Sequence, residues 1–121
     1  MYFKEYNGLY TITIEQHEEF FRELKKFCQQ NSIAQATFTA NGPISSVTLA
    51  LYNAANQNYT EQSFHKGFEL ITTQGQIYTD NEEMAICAYA TVSDKDFRVY
   101  GGKMLRAISA KDVIIILTKL E

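Results

Sequence analysis

The chain has 121 residues, 45% hydrophobic, 13% aromatic and 21% charged, with a net charge of -3. That fits one globular domain, 1–121, which buries about two thirds of the surface its unfolded form exposes and needs no metal or disulfide staple. The charge argues against a strong nucleic-acid binder, and one Pro with six Gly excludes collagen-like and Pro-rich disordered classes.

Asn7-Gly8 lies between two β-rich runs, Tyr2–Tyr6 and Leu9–Ile14. Asn-Gly favours positive φ at both central positions, so a two-residue hairpin is expected. From about Gln16 to Gln30 the period lengthens. Phe20, Leu24 and Phe27 fall on one helix face, extended by Phe21 and Cys28. Glu15, Glu18 and Glu19 crowd the helix start and Lys25 and Lys26 lie towards its end, as the helix dipole favours. His17 reads as a surface residue.

Past the helix the period returns to two. Ala36, Phe38 and Ala40 alternate with polar residues, Asn41-Gly42-Pro43 is expected to turn the chain, and Val47, Leu49 and Leu51 alternate again. Residues 53–58 read as a polar loop. Phe68–Thr73 reads as a strand, with Gly75 marking a bulge or turn before Ile77-Tyr78. In the next strand Met84, Ile86, Ala88, Ala90 and Val92 share one face, and Cys87 and Tyr89 the other. Ser93-Asp94-Lys95-Asp96 is a turn cluster. The strand from Phe97 to Arg106 carries Gly101-Gly102 in its middle, and Val113–Leu117 is apolar on both faces. Such a run needs cover on each side, from the helix and from a second layer or a neighbouring subunit. The predicted fold is α+β: a mostly antiparallel β-sheet with one main amphipathic helix packed on it.

Few residues suggest chemistry. Cys28 and Cys87 form neither a CxxC pair nor a zinc spacing and read as reduced thiols. No basic region followed by an apolar run opens the chain, and no apolar run approaches the ~20 residues of a membrane span. A cytoplasmic protein without a membrane partner is therefore expected. His17 and His65 are too few for a histidine metal centre, and no nucleophile elbow, P-loop or HExxH is present. Glu82-Glu83 reads as a solvated loop. A Cys87–His65 nucleophile pair requires the fold to bring the two together. Basic residues gather late: residues 1–94 hold five Lys/Arg against eleven Asp/Glu, and residues 95–121 hold six against three.

The segments Ala40-Asn41-Gly42-Pro43-Ile44, Val47-Thr48-Leu49, Phe68-Glu69-Leu70-Ile71, Gln74-Gly75-Gln76-Ile77, Ser93-Asp94 and Val99-Tyr100-Gly101-Gly102-Lys103-Met104-Leu105 stand in the order and spacing of a known family. Together with the closing apolar strand, the chain resembles the "plants and prokaryotes conserved" (PPC) domain, in its single-domain prokaryotic form. The resemblance implies an α+β fold, a homotrimer, and a histidine cluster drawn from an HxH strand and a GGH segment. At those positions this chain has Cys87, Tyr89 and Lys103. A thiol, a phenol and an ammonium make a poor metal set, so neither a metal nor another cofactor is expected. The AT-hook that accompanies the domain in plants is absent.

The expected function is thus a non-catalytic homotrimeric binding or regulatory module of unknown ligand. One alternative is a protein or enzyme that binds a small anion in an inter-subunit cleft around Cys87, Tyr89, Lys103, Gly101 and Gly102. Another, implied by the plant members, is a DNA-associated regulator. Two readings of Lys103 stay open: the Gly101-Gly102 step bulges and turns it to water, or it lines the cleft beside Tyr89.

Overall fold

The computed structural model describes residues 1–121. Eight strands and one helix follow in the order β1 (Tyr2–Tyr6), β2 (Leu9–Ile14), α1 (Phe20–Gln30), β3 (Ala36–Asn53), β4 (Asn58–Phe64), β5 (Phe68–Asp80), β6 (Glu83–Ser93), β7 (Val99–Ser109) and β8 (Val113–Lys119). Every strand pairing is antiparallel, and the order across the sheet is β1-β2-β8-β3-β5-β6-β7. The predicted fold class is the observed one.

Strand β3 organises the sheet. Its first half lies between β8 and β5, and its second half between β4 and β7. Because β7 pairs with both β6 and β3, strands β3, β5, β6 and β7 curl back on themselves. Asn41-Gly42-Pro43, expected to turn the chain, instead lies inside β3. The register against β5 shifts between Thr39 and Gly42, and Gly42 has φ +142°. A Cβ there would come within 2.7 Å of the Asp112 carbonyl oxygen, so the glycine marks a bulge and a close backbone approach.

Helix α1 starts at Phe20, later than the predicted Gln16. Glu19 caps it, accepting hydrogen bonds from the backbone N–H of Phe21 (3.2 Å) and Arg22 (3.0 Å). The same carboxylate accepts from Ala107 N–H in β7 at 3.1 Å, which stitches the helix entry to the sheet. Backbone bonds from His17 N–H to the Ser109 carbonyl (2.8 Å) and from Ser109 N–H to the Glu18 carbonyl (3.0 Å) complete the seam. Glu15 and Glu18 hold the Met1 ammonium.

The helix face predicted from the 3.6-residue period is the buried one. Phe20, Leu24, Phe27 and Cys28 join Ile12, Ile14, Phe38, Ile115 and Leu117 in the core. Burial of each large apolar side chain is worth about 1.5–3 kcal/mol, so this face holds the helix in place far more than its intrinsic propensity does. Gly75 corrects a second expectation. The ladder runs through it without irregularity, Gly75 opposite Phe38, and a Cβ at Gly75 would run into the Phe38 ring. The glycine therefore makes room for an aromatic residue. The irregularity of β5 lies earlier, between Leu70 and Thr72.

The helix covers only one side of the sheet. In β8, Val113, Ile115 and Leu117 are buried in the core, whereas Ile114 and Ile116 lie open on the opposite, outer face. No second layer of this chain covers that face.

Candidate functional site

Alternation along β6 and β7 builds the site. Tyr89 and Lys103 are direct cross-strand partners, so both side chains leave the sheet on the outer face, and Cys87 joins them two residues away. The pairs Ala90↔Gly102 and Thr91↔Gly101 continue without a shift. The reading that the Gly101-Gly102 step bulges is therefore corrected. The irregularity of β7 falls on its other side, where Thr48 pairs with Arg106 and Leu49 with Met104. The two glycines do separate jobs. At Gly101 a Cβ would meet the Ala90 carbonyl oxygen at an ordinary contact distance of 3.5 Å, whereas Gly102 lets β3 approach, since a Cβ there would come within 2.8 Å of the Ala50 carbonyl oxygen.

Lys103 is half-buried, and its ammonium lies 5.3 Å from the centre of the Tyr59 ring. It takes part in no ion pair and donates no hydrogen bond. Tyr89 is 56% exposed. The neighbouring Cys87 thiol, followed by Tyr59, pushes the Tyr89 phenol above its ordinary pKa, and Lys103 opposes them. Cys28, in contrast, is enclosed in the core, and burial pushes its thiol up to about 11.

Beside this cluster lies a shallow groove of about 570 Å³ floored by β3, β5 and β8, with Thr37, Thr39, Gln74, Gln76, Ile116 and Thr118 among its walls. No charged side chain lines it. A smaller recess next to it exposes Ile71, Ile114 and Ile116. The fold keeps His65 away from Cys87. Cys87 pairs with Gln76, while His65 precedes Phe68 at the other end of β5, roughly 25 Å along the strand. The nucleophile-pair reading is dropped. Glu82 lies in the exposed β5–β6 turn with φ +66°.

The sequence profile of the Plants and Prokaryotes Conserved (PCC) domain matches residues 3–121. The chain belongs to this family. No curated protein matches it. Among solved structures, a candidate DNA-binding protein from Bacteroides thetaiotaomicron superposes with a TM-score of 0.95 at 23% identity, covering 99% of this chain and 84% of that one. The plant- and prokaryote-conserved protein of Pyrococcus horikoshii gives 0.88 at 18% identity, over 99% and 81%. A metal-containing protein from Archaeoglobus fulgidus gives 0.85 at 18% identity, over 98% and 85%. At these identities the likeness is one of fold.

The donor set of this PCC domain does not fit a metal. Nowhere does the structure bring together three His, Cys, Asp or Glu side chains as a metal would need. Cys87 and Tyr89 share their patch with the Lys103 ammonium, a positive charge with no free lone pair. Tyr59, the residue that contacts Lys103, escapes sequence reasoning. It belongs to β4, a strand exposed along nearly its whole length, so hydrophobic alternation gives no signal there. No helix is long and apolar enough to cross a membrane.

Proposed function

We propose that this PCC domain is a non-catalytic binding module that works as a homotrimer, with the outer sheet face as the contact between subunits. The observation that carries this reading is the set of Ile71, Ile114 and Ile116, which are 45%, 38% and 46% exposed. All three sit on interior strands of the sheet, not on its edges. The residues lining the two recesses around them are apolar or neutral Thr, Asn and Gln, without one charge. Depletion of charge around exposed aliphatic side chains is the mark of an interface core. The family resemblance that implies a homotrimer supports the number three. The separation of His65 from Cys87 and the lysine in the Cys87–Tyr89 patch are in keeping with a binding role.

DNA association, suggested by the description of the Bacteroides relative, has less support here. The net charge is -3 and no AT-hook is present. The test of the interface is Ile116→Lys. A lysine there places a charge in the centre of the contact but is tolerated on an open face of the monomer. The variant is expected to keep the far-UV circular dichroism of the wild type and to run as a single chain of 13.8 kDa by light scattering. A variant that keeps the wild-type oligomeric mass would overturn this assignment of the interface.

A further inference from the structure

We propose that Lys103 and Tyr89 form a binding site for a small oxyanion, a carboxylate or a phosphate, on the outer face of the sheet. The inference rests on the reading of this chain as a binding module, but not on the trimer, because every residue of the site comes from one chain. Lys103 is a half-buried residue whose ammonium has three N–H donors and no carboxylate or carbonyl partner. Its three donors are therefore unused within the chain and free for a ligand. The ammonium sits over the face of the Tyr59 ring, a contact that does not use up its donors as a carboxylate would.

The surroundings suit an anion. Tyr89, directly across from Lys103 and 56% exposed, offers a phenolic O–H. A phenol at or above the ordinary tyrosine pKa is protonated at neutral pH, so Tyr89 is a donor there. Next to the pair, Gly101 and Gly102 help line an open recess of about 490 Å³, whose other walls include Thr72, Gln74 and Thr91. These walls supply hydroxyl and amide groups and no carboxylate. With no side chain on Gly101, a ligand can approach the backbone closely. The nearest acidic residue in the cross-strand row is Glu61, which pairs with Ala50, itself the partner of Lys103. Glu61 makes no ion pair with the lysine. It is a negative charge in the same row that would repel a bound anion rather than neutralise the lysine.

The experiment compares thermal unfolding in sodium phosphate, sodium succinate and sodium chloride at matched ionic strength. Phosphate or succinate at ~10 mM is expected to raise the melting temperature by several degrees over chloride, as binding to the native state alone requires. Which of the two acts identifies the ligand class. Lys103→Met is expected to weaken the apparent affinity at least about tenfold, the usual effect of losing a charge-assisted hydrogen bond. Glu61→Gln is expected to strengthen it. Identical responses of wild type and Lys103→Met, or no response of the wild type to either anion, would overturn the site. If Lys103→Met does not fold, a wild-type NMR titration with phosphate and succinate decides. The Gly101 amide and the Lys103 side chain must then shift, and shifts confined to other residues would overturn the proposal. Light scattering separates this outcome from that of the trimer. A single-chain mass with a Lys103-dependent response would remove the trimer and leave the site, and a three-chain mass without the response would do the reverse.

Discussion

Replacing Glu19 by alanine tests the seam between helix and sheet. The carboxylate accepts three backbone hydrogen bonds, from Phe21, Arg22 and Ala107. Loss of an N-cap costs typically about 1 kcal/mol. Ala107 is 1% exposed, so its freed N–H cannot turn to water, and an orphaned buried donor costs about 1–3 kcal/mol. The sum is about 2–4 kcal/mol. At roughly 4 °C per kcal/mol for a chain of this size, the melting temperature should fall by roughly 8–16 °C. Glu19→Gln keeps one acceptor oxygen and should lose about half as much. Urea unfolding followed by circular dichroism, at one fixed protein concentration, measures the change free of any mass-action effect. Amide exchange should accelerate at Ala107 in particular. An alanine variant within about 0.5 kcal/mol of wild type would refute the assignment of this carboxylate as a dual cap, since that is the range of an ordinary surface substitution.

Gly75→Ala drives a methyl group into the Phe38 ring and should destabilise the fold by about 1–3 kcal/mol in the same urea assay, whereas a neutral effect would show that the ring has room to move. Asp94 gives a pH-dependent outcome. Burial pushes its pKa up, but the N–H groups of Arg98 and Asp96 and the Lys66 ammonium outweigh this and hold it below the usual carboxylate value. Its contribution is therefore complete above about pH 4 and is lost as the pH falls through the lowered native pKa. Asp94→Asn should flatten the loss of stability below about pH 4 in urea titrations, and an unchanged acid limb would exclude Asp94 as its source.

What the sequence shows and what it hides divide along physical lines. Asn7-Gly8 is a local signal with a local consequence, and both residues have the positive φ (+52° and +86°) that the hairpin demands. The helix face and the shared face of Cys87 and Tyr89 are equally legible, because strict periodicity fixes which side chains lie together, whereas Lys103 joins them only through the unshifted β6–β7 register. Asn41-Gly42-Pro43 misleads because its residues favour a turn, while contacts from the distant Asp112 and Val113 hold that stretch inside β3. Gly75 misleads for a related reason: its partner, Phe38, is 37 positions away in the chain. Strand β4 is missed because almost none of it is buried, so no apolar pattern marks it, and with β4 goes Tyr59. The open outer face is foreshadowed by the two-faced apolar run at 113–117, but only the fold shows which of its residues, Ile114 and Ile116, are left uncovered.

The mass of the wild-type protein in solution bears most directly on the central claim that the outer face joins subunits. Size exclusion coupled to light scattering at micromolar concentration should report three times 13.8 kDa. A mass of 13.8 kDa under the same conditions would contradict it and leave Ile71, Ile114 and Ile116 without a partner.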